Sequence, residues 1–258
     1  MSVSERSFTN IGKQHNISGR ILLKREDQDF WASFCVINEE LPDLVREISI
    51  LHRNEINYYN TLKYDRRKSS YLLGRIAAKK AMIELIDGDI ESLHVDFGVF
   101  QFPVVKSFKN HNIQVSISHC ENIGTVLAFP EEHPLGIDIE KIQEDPIVAI
   151  KDQITDSEQN LILRSQIPFP IGCMVVWTVK EAISKIFKTG LTMDFRMLEI
   201  QSLKKEGMVY LSKFSHCVQY KAISYHTGDY ICSIVLPKNT EPYLEHFWSS
   251  LQSSCIDK

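Results

Sequence analysis

Gly136-Ile137-Asp138-Ile139-Glu140 is the stretch from which the rest of this 258-residue chain is read. Side chains alternate across a strand, so Ile137 and Ile139 point to one face while Asp138 and Glu140 point to the other. The β-branched isoleucines suit a sheet interior, and the turn-like run Glu131-Glu132-His133-Pro134 precedes the glycine. Two acids on one face repel unless a cation sits between them. Mg²⁺ suits such a pair, because it takes one or two protein carboxylates and fills its remaining positions with water and phosphate oxygens. A solvent-facing edge strand carrying two ordinary acids is the alternative.

Trp177-Thr-Val-Lys-Glu-Ala-Ile-Ser-Lys185 reads as a helix. At about 100° per residue, Trp177, Glu181, Ser184, Lys185 and Lys188 fall on one stripe. Val179, Ala182, Ile183 and Ile186 form the opposite, core-facing stripe. The spacing ends the helix before Lys188-Thr189-Gly190, where the glycine supplies a stop. Lys180 lies at the edge of the charged stripe beside Glu181. A carboxylate flanked by lysines fits a metal ligand whose neighbours hold phosphate oxygens. The plain alternative is a surface Glu181–Lys185 pair worth about 0.3–0.5 kcal/mol.

Upstream, Ile113, Val115 and Ile117 alternate with Gln114, Ser116 and Ser118 in a half-buried strand ending at His119. A serine hydroxyl and a histidine there can donate to a phosphate. Earlier still, Lys63, Arg66, Arg67, Lys68, Arg75, Lys79 and Lys80 crowd a region with little acid. Ser69 or Ser70 is the expected cap of a helix running to about Leu85, with Leu72, Ile76 and Ile83 buried. In a chain of formal net charge −4 this local excess reads as a phosphate-binding rim, or as a solvated face.

Composition excludes several classes. Charge is mixed, no low-complexity tract occurs, and no apolar run reaches the roughly 20 residues of a membrane span. The first residues, Met-Ser-Val-Ser-Glu-Arg, lack the apolar core of a secretory signal. The six cysteines are scattered without a Cys-x-x-Cys pair, which fits reduced thiols in a cytoplasmic protein, and Cys232 reads as core. Patterns of helix and strand alternate, an α+β or α/β class. Residues 1–25 are polar and read as loosely ordered.

The Gly-Ile-Asp-Ile-Glu strand, Trp-x-x-Lys-Glu-Ala-x-x-Lys, Ser-x-Ser-His at 116–119 and Thr189-Gly190-Leu191 together resemble the 4′-phosphopantetheinyl transferases. Leu73-Gly74-Arg75 and the late strand 228–235 also look like that family, and the likeness covers roughly residues 60 to 235. It implies transfer of the phosphopantetheine arm of coenzyme A to a serine of an apo acyl or peptidyl carrier protein, releasing adenosine 3′,5′-bisphosphate. By the resemblance, Asp138, Glu140 and Glu181 hold Mg²⁺ (or Mn²⁺). Glu181 or a water it orients accepts the serine proton, and Lys185 neutralises the pyrophosphate with Lys180 nearby. Ser118 and His119 bind a coenzyme phosphate, and Arg66 or Arg67 lines the nucleotide rim. Where the family often carries Gly-Lys-Pro, this chain reads Gln101-Phe102-Pro103; Phe102 packs on adenine or belongs to the core.

The resemblance further implies α+β architecture of two similar halves packed as an intramolecular pseudo-dimer, with the site in the cleft between them. The expected halves are 1–130 and 131–258, hinged near Phe129–Pro134, in a monomer without nucleic-acid or membrane partners. Two other classes compete. A metal-dependent nuclease wants Glu-x-Lys on one strand, yet Ile142 follows Lys141 after Glu140, and Ile183 follows Ala182 after Glu181. A binding-only relative that docks carriers without catalysis would have lost an acid or the helix lysine, and here all four are present.

Overall fold

The computed structural model describes residues 16–106, 112–143 and 150–256. The expectation for residues 1–15 therefore lies outside the described residues. The remainder of that polar segment is ordered: Asn16–Lys24 forms β1, because Ile21 and Leu23 turn inward while Arg20 stays out.

The chain runs β1, β2 (Phe30–Asn38), α1 (Leu41–Arg46), α2 (Arg53–Thr61) and α3 (Asp65–Ile83). It continues with β3 (His94–Phe97), β4 (Pro103–Lys106), β5 (Ile113–Cys120) and β6 (Ile123–Pro130). After a short link come β7 (Gly136–Lys141), α4 (Asp156–Arg164) and α5 (Phe169–Ile186). Strands β8 (Ile200–Glu206), β9 (Val209–Phe214), β10 (Tyr220–Thr227) and β11 (Tyr230–Pro237) follow, then β12 (Glu241–Pro242) and α6 (Glu245–Ile256). The strands make two five-stranded antiparallel sheets, β12-β1-β2-β6-β5 and β7-β11-β10-β9-β8, and a β3-β4 hairpin. This is a mixed α+β fold.

Each sheet carries one long helix. Helix α3 packs on β2, β5 and β6 over a core containing Cys35, Leu72, Ile76 and Val126. Helix α5 packs on β7 and β11 over Val176, Val179, Ile183 and Phe195. A third core lies between the sheets, where Ile137 and Ile139 of β7 meet Phe34, Leu127, Trp248 and Leu251. The alternation read at 136–140 thus puts the isoleucines in that core. Gly136 is required there: a Cβ at this position would lie 1.9 Å from the carbonyl oxygen of Ala182, so strand and helix backbones touch.

Three expectations differ. Helix α3 starts at Asp65 behind the N-cap Tyr64, upstream of Ser69 and Ser70. Asp65 supplies the negative charge that the first turn favours. Ile83, expected to be buried, ends the helix and is 40% exposed. Finally, residues 131–258 do not form a self-contained half, because β12 pairs with β1 and α6 packs on β1 and β2. The apolar face of α6, through Phe247, Trp248 and Leu251, needs the N-terminal sheet to bury it.

Two buried ion pairs occupy matching places. On the N-terminal side, Glu55 closes a capping box with His52, accepts the Val95 N–H at 2.9 Å and faces Lys79 of α3 at 3.2 Å. On the C-terminal side, Glu158 closes a capping box with Thr155, accepts the Ile200 N–H at 2.8 Å and meets Lys180 of α5 at 2.6 Å. In both, a short helix, a long helix and the next strand are tied by one glutamate.

Candidate active site

The candidate side chains converge because β7, β5, α5 and α3 border one cleft of about 560 Å³. Asp138 and Glu140 enter from β7, Glu181 and Lys185 from α5, Ser118 and His119 from β5, and Arg67, Tyr71 and Arg75 from α3. The strand period aims the two β7 acids together, and the helical i, i+4 step aims Glu181 and Lys185 together.

The charge balance in this cleft is unusual. Burial pushes the Glu140 carboxyl up to about 7, and the neighbouring Asp138 charge pushes it the same way. Glu181 is also pushed up to about 7, first by burial and then by Asp138. Lys185 opposes both shifts. Its ammonium donates to Asp138 Oδ1 at 2.8 Å and to the Ile137 carbonyl at 2.8 Å. The other Asp138 oxygen, Oδ2, is buried with no hydrogen-bond partner among the described residues. Three mutually repelling acids and one unpartnered oxygen are a donor set suited to a hard cation. As placed, no three His, Cys, Asp or Glu side chains among the described residues close around one point. Lys185 already engages Asp138 Oδ1.

Several site residues are placed differently from the sequence reading. Lys180 is not beside the cleft. It is fully buried, donating to Glu158 at 2.6 Å and to the Gln153 carbonyl at 2.9 Å, so it cannot reach a phosphate there. At the edge of the stripe its ammonium meets the buried Glu158 carboxylate, which compensates its burial. Ser184, expected on the charged stripe, is buried too. Trp177 packs on Phe195, ring centroids 5.3 Å apart, and belongs to the α5 core. The basic stretch is also divided: Lys79 is buried against Glu55, and Lys80 pairs with Glu47 at 2.5 Å. Arg66 and Arg67 remain exposed, with Arg67 on the cleft wall.

Ser118 lines the cleft, but its hydroxyl donates to Asp138 Oδ1 at 2.8 Å. His119 is exposed on the same wall, with its pKa lowered by desolvation and then by the Lys185 charge. Phe102 neither joins a buried core cluster nor lines this cleft. It lines an adjoining, mostly apolar cavity of about 430 Å³ that shares Glu181 and Lys185 as walls. The Lys188 ammonium lies 5.3 Å from the centre of its ring.

By sequence, Arg75 is one more charge in a basic run. In the structure it is 5% exposed, held between the rings of Tyr71 (4.9 Å) and Phe97 (4.6 Å). Its Nε and Nη2 have no hydrogen-bond partner among the described residues. A buried guanidinium with spare donors on a cleft wall is chemically suited to an anion. The available signal was its helical phase, three residues after the buried Leu72.

Residues 134–235 match the family model described as the 4′-phosphopantetheinyl transferase superfamily. The holo-[acyl-carrier-protein] synthase of Mycoplasma capricolum is 36% identical over 85 residues, covering 33% of this chain and 76% of that protein. The enterobactin synthase component D of Salmonella typhi is 31% identical over 145 residues, 54% of this chain and 56% of that protein. The 4′-phosphopantetheinyl transferase gsp of Aneurinibacillus migulanus is 25% identical over 155 residues, 58% of this chain and 62% of that protein. The chain belongs to the 4′-phosphopantetheinyl transferase superfamily. It spans 56% of the length of the Salmonella relative, little more than half.

Proposed function

We propose that the protein transfers the 4′-phosphopantetheine group of coenzyme A to a serine hydroxyl of an apo acyl or peptidyl carrier protein and releases adenosine 3′,5′-bisphosphate. The observation that carries this reading is that the acids of β7 and α5 share one cleft with Lys185 and with Arg75, whose Nε and Nη2 have no hydrogen-bond partner among the described residues. Asp138, Glu140 and Glu181 would hold Mg²⁺, or Mn²⁺ in its place, which when bound polarises the pyrophosphate oxygens.

The chain's own residues do the rest. Arg75 and Arg67 bind the phosphates at the nucleotide end, with His119 on the same wall and Arg66 near enough for its charge to depress the His119 pKa. Lys185 sits among the acids and offsets negative charge on the pyrophosphate, more as the bond breaks than before. Glu181 lines the same cleft and is suited to take the serine proton, directly or through a water it orients. The serine oxygen bonds to the β-phosphorus, the bridging P–O bond breaks, and the bisphosphate leaves with that electron pair.

We read the molecule as two similar halves facing each other across the cleft. The matched clamps support this: Glu55–Lys79–Val95 and Glu158–Lys180–Ile200 use the same residue types on the same sequence of elements. Because one chain supplies both walls, a monomer suffices. A cytoplasmic location accords with six free cysteines, and no described helix is long and apolar enough to cross a membrane.

Intact-mass spectrometry tests the reading. Purified protein with Mg²⁺ and coenzyme A should add one phosphopantetheine mass to an apo carrier. No gain across a panel of fatty acid, polyketide and nonribosomal peptide carriers would overturn it.

A further inference from the structure

Asp138 is held by one oxygen only. Its Oδ1 accepts the Ser118 hydroxyl and the Lys185 ammonium, both at 2.8 Å, while Oδ2 stays buried and unpartnered among the described residues. A serine hydroxyl has one proton, and here Asp138 takes it. The Ser118 oxygen in turn accepts the Ile139 N–H at 3.2 Å. Two residues earlier, Ser116 accepts the Ile137 N–H at 3.0 Å. Strand β7 therefore bonds to β11 through backbone on one edge and to two serine side chains of β5 on the other.

We propose that Ser118 is a positioning residue for the Asp138 carboxylate, fixing its rotation so that Oδ2 is kept as a donor atom for the divalent cation. Ser116 shares the seam but makes no bond to Asp138, so it is a built-in control. The assignment moves Ser118 from the phosphate to the carboxylate, since a hydroxyl already donating to Asp138 has no second proton for a phosphate oxygen. It rests on the cation-dependent reading given above.

Direct Mn²⁺ binding by the full chain, followed by electron paramagnetic resonance without coenzyme or carrier, separates the possibilities. Ser118→Ala should weaken Mn²⁺ binding about 10- to 100-fold, the usual cost of losing a partner that orients a metal ligand. Ser118→Thr, which keeps the hydroxyl, should recover most of it. Ser116→Ala should lower thermal stability but leave Mn²⁺ affinity within about threefold of wild type. Coenzyme A affinity, measured by calorimetry without a divalent cation, should be unchanged in Ser118→Ala.

Wild-type Mn²⁺ affinity in Ser118→Ala would overturn the assignment, as would equal losses in Ser116→Ala and Ser118→Ala. A loss confined to coenzyme A affinity would return Ser118 to the phosphate. A wild-type protein that binds no Mn²⁺ would overturn the cation reading together with this one, an outcome distinct from the others. If Ser118→Ala does not fold, Ser118→Cys, which keeps the shape but donates weakly, carries the same comparison.

Discussion

The Lys180 ammonium and the Glu158 carboxylate lie 2.6 Å apart, and neither side chain touches solvent. Desolvation lowers the lysine pKa and the glutamate charge opposes that shift, so the pair stays together only as a unit. Glu158 also accepts the N–H groups of Thr155 and Ile200. One carboxylate thus ties α4, α5 and β8 into the wall that carries Glu181.

Lys180→Met strands that buried carboxylate and should cost about 3–5 kcal/mol of stability. Transfer per folded molecule should stay close to wild type, because Lys180 does not reach the cleft. Denaturant midpoints measured beside single-turnover rates check both halves of the prediction.

Glu181→Gln keeps the shape of the side chain but removes the proposed proton acceptor. Transfer should fall by about 10²- to 10⁴-fold with the thermal midpoint held or raised, since a buried repelling acid is lost. A near-normal rate would place the base elsewhere.

Arg75→Met preserves packing between Tyr71 and Phe97 and removes the spare donors. The coenzyme A KM should rise about 10- to 100-fold, as expected for hydrogen bonds to a charged partner worth about 1.5–3 kcal/mol, with kcat little altered. Steady-state kinetics in coenzyme A decides it.

Gly136→Ala puts a methyl group into the Ala182 carbonyl. The cost should exceed about 4 kcal/mol, the range of severe core disruption, and the variant should fail to give cooperative unfolding.

His133 gives the pH prediction. It is buried with its Nε2 2.7 Å from Thr240 Oγ1 and Nδ1 unpartnered among the described residues, and burial lowers its pKa. Folding therefore favours the neutral ring. The unfolded chain takes up the proton below about pH 6.5, so this contribution is complete above that value and is lost as pH falls. Against His133→Phe, wild type should lose relative stability between pH 7.5 and 5. Denaturation midpoints across that range check it, and His94 and His119 cancel because both proteins carry them.

Much of the candidate site was legible because period-two and period-3.6 patterns fix which side chains share a face. That is how Asp138 and Glu140 separated from Ile137 and Ile139, and how Glu181 and Lys185 fell together. Lys180 and Arg75 escaped the same reasoning. Each sits at a phase where charge and burial conflict, and only the partner decides the outcome: Glu158 for one, the rings of Tyr71 and Phe97 for the other.

The sequence alone determined the acid-bearing strand and the helix facing it, since local periodicity and residue type are properties of the chain itself, and its combined motifs carried the family resemblance. Tertiary structure decided which cations are spent internally, which oxygen of Asp138 has no partner among the described residues, and that α6 returns to the N-terminal sheet. Those depend on contacts between segments far apart in sequence, where desolvation makes a charge either pair or stay in the cleft.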